Sequence, residues 1–411
     1  MLRKVLLSLA AIVVAVGLAV GASLLTPARK PPAQTVDLVR ATKLTCVGAG
    51  RVLVLGDADI SAAPLGEPLA AGTRGPLDAT IDAPTIVSAN SLIVGGVLTS
   101  SPVAGYTPCT APMPSGVFQV ADPASTELVL SNPDANEAAV DLTLMGPDGE
   151  ITAVGSRGIA IAPGVTRTIA LSVLAPEGPV GVAYTTSQGR VSVLARSVPG
   201  RTVPSISARP AAEQSIIGGI PPSAQGVQLL LSNPSEDRLD VSVVAFGATS
   251  TYEPAPAADL TLPPLSVLAV DLGTSLAGEA SGLRIDASQP IGATVLVGPA
   301  GAQNALSPGE AAESLGVLAV DVETVQVTNP GVAPVTATLT VGDLTMQVSV
   351  PAGTTVSVPA ATSGVAAVTV ASDTPVLADA VSADGKVVFP LAPTVEDASV
   401  AGVVVADPSL R

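Results

Sequence analysis

Asp57 and Asp59, one residue apart in "LGDADIS", have the spacing with which a loop sets two carboxylates around a calcium ion. Calcium takes six or more oxygens, and neither a third aspartate nor a glutamate follows at loop spacing, so the pair reads as a solvated loop. Asp321 and Glu323 alternate and are predicted to share one face of a strand, as a charged edge. Asp148 and Glu150 in "GPDGEI" are predicted hairpin-turn residues, because Asp-Gly favours the tight turn. Paired carboxylates can cleave a glycosidic bond. Glycan sites also tend to use aromatic platforms, and the aromatics here are only Phe118, Phe246, Phe389, Tyr106, Tyr184 and Tyr252. Histidine is absent, which removes histidine triads and histidine metal sites. Lys30, Lys43 and Lys386 stand in no Ser-x-x-Lys phrase, and "GAGRVLVLG" lacks the lysine and the helix of a phosphate loop. No catalytic, cofactor-binding or metal-ligating residue is assigned, and the chain is expected to be no enzyme and to need no cofactor.

The residues that recur are Asn132-Pro133, Asn233-Pro234 and Asn329-Pro330, at intervals of 101 and 96 residues. A side-chain amide before proline suits a turn: it can bond the backbone two residues on, and proline ends the ladder. These six residues are therefore expected to be structural turn positions. A period near 100 is one whole domain, much longer than a solenoid unit.

The elements around these turns are short strands. After Asn132, Val140, Leu142 and Leu144 alternate with Asp141 and Thr143; after Asn233, Leu239, Val241 and Val243 alternate with Asp240 and Ser242. Period-2 alternation buries one face and wets the other. We read an opening hairpin there, and a second hairpin in "MQVSVPAGTTVSVPA" (346–360), "IAIAPGVTRTIAL" (159–171) and "LTLPPLSVLAVDL" (260–272), where Pro and Gly supply the turn. A third part, "GVAAVTVASDTPVLADAVSA" (364–383) and its counterparts, is a strand, a turn and another strand. The stretch 84–101 repeats that third part without an Asn-Pro phrase upstream, so a divergent first module precedes three regular ones. Hydrophobic residues are 47% and aromatics 1%, so Val, Leu, Ile and Ala must fill the cores. Glycine (39) and proline (38) punctuate strands and stay below the level of a disordered chain. The predicted fold is all-β, a tandem array of Ig-like antiparallel β-sandwiches after an N-terminal transmembrane helix. A seven- or eight-bladed β-propeller is the alternative, since eight strands also make two four-stranded blades.

The apolar segment 5–25 has no charge over 21 residues and follows Arg3 and Lys4. That length crosses a bilayer core of about 30 Å as a helix. We read residues 1–4 as a cytoplasmic stub, 5–25 as a signal-anchor and 26–36, rich in proline, as a stiff spacer. Cleavage near Ala22 and secretion is the alternative. The modules follow at 37–115, 116–212, 213–312 and 313–411. Cys46 and Cys109 are the only cysteines, and in an exported chain an even count reads as one disulfide. The net charge of −16 and the lack of a basic stripe argue against nucleic acid.

The order "VQVTNPGVAPVTATLTV" followed by "VSVPAGTTVSV" resembles bacterial extracellular Ig-like, cell-adhesion-related modules, over residues 116 to about 385. The whole chain resembles an actinobacterial family of exported or membrane-anchored proteins of unknown function. That resemblance implies an envelope location and supplies no catalytic residues. The expected function is that of a non-enzymatic, membrane-anchored, extracytoplasmic envelope protein, structural or adhesive, that meets an envelope protein or a wall polymer. In the alternative, a propeller-type accessory module serves an envelope polysaccharide or an envelope enzyme.

Overall fold

The computed structural model describes residues 42–395 apart from 101–102, 223, 225, 277 and 300–302. The predicted stub, apolar anchor and spacer, and the chain beyond residue 395, lie outside the described residues. Among the described residues no helix is long and apolar enough to cross a membrane. The described residues form one compact unit.

The second module shows the building rule. Thr126–Ser131 runs into the Asn-Pro phrase and sits in a sheet ordered Thr166–Ala170, Thr126–Ser131, Ser192–Ser197, Ile206–Ser207. The facing sheet is ordered Gly149–Ile151, Ala138–Gly146, Val180–Gln188, Ser115–Val120, with Ile159–Ile161 also on Ala138–Gly146. Every pairing is antiparallel. Alternation along Ala138–Gly146 puts Val140, Leu142 and Leu144 into the core between the sheets, against Leu128, Leu130 and Val193. This is an Ig-like sandwich.

The pairing corrects the predicted hairpins. Thr126–Ser131 and Ala138–Gly146 lie in opposite sheets, so the Asn-Pro segment is an arch across the core. The Pro-Gly segment at 162–165 is a second arch, because Ile159–Ile161 and Thr166–Ala170 also belong to opposite sheets. Tight local hairpins form at two places: Gly146 pairs Gly149 around Pro147-Asp148, and Val341 pairs Leu344 around Gly342-Asp343. The predicted strand-turn-strand of the third part is, in the last two modules, one long strand. Ser281–Val297 and Val365–Ser382 each begin in one sheet and end in the other.

The first module, which has no Asn-Pro phrase, repeats the same strand order. One sheet runs Leu77–Ile81, Gly50–Leu55, Val94–Thr99, Gly105–Pro108; its partner runs Thr42–Cys46, Thr85–Ala89, Asp59–Pro64, Thr73–Arg74. The described residues therefore hold four sandwiches of one topology. A propeller blade is a meander of consecutive strands. Here consecutive strands cross between two sheets, and the propeller alternative is not what is built.

In each sandwich the sheet that carries the asparagine, or its equivalent in the first, packs on the facing sheet of another sandwich. Val129 and Leu194 of the second meet Val47 of the first. Leu230 and Leu296 of the third join the core of the second. Gln326 and Asp379 of the fourth belong to the strands laid on the third sandwich, where Gly218 and Gly219 approach Asp379. Leu53 of the first joins Leu315 and Val317 of the fourth, so the fourth sandwich packs back on the first. One joint, made four times, links the sandwiches in a closed ring.

Candidate functional site

Ring closure brings four short edge strands together, one from each sandwich: Gly105–Pro108, Ile206–Ser207, Asn304–Leu306 and Val388–Pro390. An edge strand has one row of backbone groups outside its own ladder. Beside three of them, Gly105–Pro108, Asn304–Leu306 and Val388–Pro390, lies a cavity of about 500 Å³ with wall residues from all four sandwiches, among them Tyr106, Arg196, Asn304 and Val388. The strands also hold one another: Ser207 Oγ donates to the Pro108 carbonyl at 3.0 Å, the Asn304 amide donates to the Lys386 carbonyl, and the Tyr106 and Phe389 rings stand 5.0 Å apart. The charged part of the wall is the Arg196–Glu127 pair, with Nε donating to Oε1 at 2.7 Å. Backbone groups, hydroxyls, one ion pair and aliphatic side chains can hold a ligand by shape and hydrogen bonds.

The three asparagines lie away from one another, one per sandwich, and all are buried. Asn132 Oδ1 accepts from the Asp134 amide at 3.0 Å, while its Nδ2 donates to the carbonyls of Asn136 at 2.8 Å and Ile161 at 2.9 Å. Asn233 accepts from Ser235 and donates to Asp237 and Pro263; Asn329 accepts from Gly331 and donates to Ala333, Val350 and Pro351. Each side chain thus closes its own arch and reaches the second arch beside it. Pro133, Pro234 and Pro330 follow in the same arches. Cys46 and Cys109 form a disulfide that ties strand Thr42–Cys46 to the segment following Gly105–Pro108, across the first sandwich.

The carboxylate pairs do not converge. Asp57 and Asp59 are exposed at the first sandwich's arch, the place equivalent to the Asn-Pro phrase. Among the described residues no group of three or more Cys, Asp or Glu side chains is placed to hold a metal ion. Asp321 departs from the strand reading: it turns the chain between Ala312–Val320 and Val322–Asn329 with φ of 49°, and its Oδ1 accepts from the Gly364 amide at 2.7 Å. Asp148 lies in the two-residue hairpin turn, while Glu150 stands in the strand that follows it, opposite Met145.

Sequence reasoning passed over the polar residues inside the joints. Gln119 is fully buried, donates to Ser232 Oγ at 2.6 Å and accepts from Thr294 Oγ1 at 2.7 Å, joining the second sandwich to the third. Gly292 leaves room for it, since a Cβ there would lie 2.2 Å from Gln119 Nε2. Gln326 and Asp379 are buried opposite each other in the next joint, and burial pushes the Asp379 carboxyl up to about 7. The signal was present: an acid inside the apolar run "PVLADAV", and a glutamine where the sister strands carry Val129 and Leu230.

The model of the family described as "Family of unknown function (DUF5719)" matches residues 103–343. That span holds the second and third sandwiches whole and parts of the first and fourth. No curated protein matches the chain. A solved structure described as "Ca2+-stabilized adhesin helps an Antarctic bacterium reach out and bind ice" aligns at 16% identity over 83% of this chain and 94% of that one. Its TM-score is 0.12.

Proposed function

The chain belongs to the Family of unknown function (DUF5719), a description without an activity, and we propose from its geometry that it binds and does not catalyse. In this reading it is a non-enzymatic envelope protein, held outside the cytoplasm by the apolar segment 5–25, and the ring of sandwiches is a rigid frame offered to an envelope protein or a wall polymer. The observation that carries the reading is the cavity whose wall draws on all four sandwiches and includes the Arg196–Glu127 pair. A wall of backbone groups and hydroxyls suits a ligand with many weak hydrogen bonds, such as a glycan or an extended peptide. The disulfide supports an oxidising compartment, where such bonds persist.

Two measurements test this. Thiol trapping and external protease on intact cells should find Cys46 and Cys109 oxidised and the body digestible, with the product in the membrane fraction. A reduced pair in a protected soluble pool overturns the location. Co-sedimentation of the full chain with purified wall polymer should weaken about tenfold for Arg196→Ala, the size of losing one charge-assisted contact. Equal sedimentation of variant and parent removes the cavity from the reading.

A further inference from the structure

The four joints of the ring use the same two strand positions, which pair across the asparagine sheet. They are Leu53 with Gly96, Val129 with Leu194, Leu230 with Thr294, and Gln326 with Asp379. The first two pairs are apolar. In the third, the Thr294 hydroxyl is satisfied by Gln119 of the neighbouring sandwich. The fourth differs in kind. Both polar atoms of the Gln326 amide and Oδ2 of Asp379 are buried with no hydrogen-bond partner among the described residues. Opposite them stand Gly218 and Gly219 of strand Ala212–Ile220. A Cβ on Gly218 would lie 2.2 Å from Asp379 Oδ2, and one on Gly219 would lie 2.6 Å from Val388 Cγ1. The carboxyl is therefore laid directly against the main chain of the third sandwich, with no side chain between.

We propose that this joint is a pH-responsive seam, closed while Asp379 carries its proton and loosened when the carboxyl ionises.

A neutral carboxyl has an O–H to donate, and Gln326, directly opposite, stands about 5 Å away at Cβ with an amide oxygen to receive it. An ionised carboxylate has only acceptors, and in a dry joint its charge is costly unless paired. The neighbours are Gly218 and Gly219 from Ala212–Ile220, Gln326 from Val322–Asn329, Val388 and Pro390 from Val388–Pro390, and Leu377 from its own strand. None of them titrates or carries charge. Burial alone accounts for the raised value, about 7 against 3.8. Between these values the folded ring keeps a proton that the unfolded chain has released. Stability from this group is complete below the lower value and is lost as pH rises through the upper one.

The test is hydrogen exchange on the full chain, from about pH 5 to about pH 8, as protection corrected for intrinsic rate. Strands Ala212–Ile220 and Val322–Asn329 should lose protection more than about tenfold as pH rises, while Thr126–Ser131, in the apolar joint, holds its protection. Asp379→Asn, neutral at every pH, should flatten the loss. A loss shared equally by Thr126–Ser131, or one that persists in Asp379→Asn, overturns the proposal. Should the variant fail to fold, the comparison of joints within the native chain decides by itself.

Discussion

Each arch asparagine has more to do than end a strand. Asn329 Nδ2 faces three carbonyls, those of Ala333 at 2.8 Å, Val350 at 3.1 Å and Pro351 at 3.2 Å, and its Oδ1 holds the Gly331 amide at 2.9 Å. Asn329→Ala removes both functions and leaves buried groups unpaired, which costs about 1–3 kcal/mol. Asn329→Asp keeps the acceptor but turns the donor into a second acceptor aimed at carbonyl oxygens, so it should cost more than alanine. Denaturant midpoints of the two variants check the order; an aspartate variant as stable as the parent removes the donor role. The bond to the residue two positions on was legible in "TNPG", because Asn-Pro turns make it locally. The reach to Val350, 21 residues away, was not, since only the folded sandwich brings the two arches together.

At the level of elements, alternation told which face of a strand is buried and left its neighbour open. Val335, Ala337, Leu339 and Val341 point inward whether the preceding strand pairs beside them or across the core, and the structure takes the second course. Two of the hairpins that do form have a local cause, a two-residue turn containing Gly or Asp. Strand number and class were readable for the same reason that strand partners were not: burial is a property of one strand, and pairing of two. The first sandwich extends the point, since it keeps the common strand order without the asparagine staple. Its tie is the disulfide, which spans a sequence separation of 63. Replacing both cysteines with alanine should cost about 4 kcal/mol on the chain-entropy model. The loss should appear first as faster hydrogen exchange in Thr42–Cys46 and Thr85–Ala89. Uniform change across all four sandwiches would instead mean that they unfold as one unit.

For the whole molecule, the repeat phrase marked the sandwiches but carried no sign that the fourth returns to the first. Closure rests on residues from distant parts of the chain: Leu53 and Tyr106 in the first sandwich, Leu315, Val317 and Phe389 in the fourth. Each is an ordinary apolar residue in its own strand, so nothing local separates a joint position from a core position. The consequence is measurable. A compact body of about 350 residues has a radius of gyration of about 20 Å, whereas an open string of four sandwiches is far longer. Small-angle scattering of a soluble fragment covering residues 37–395 should give the compact value. Leu53→Asp places a charge in the buried closing joint, where it has no partner of opposite sign among the residues of that core. It should raise the radius while near-native strand content persists, because the other three joints do not use Leu53. Val129→Asp, in the joint between the first and second sandwiches, should open the ring in the same way at a different place. Parent chains that scatter as extended particles would show that closure is not the state in solution, and a Leu53→Asp ring that stays compact would move the weight of closure to the Tyr106–Phe389 contact.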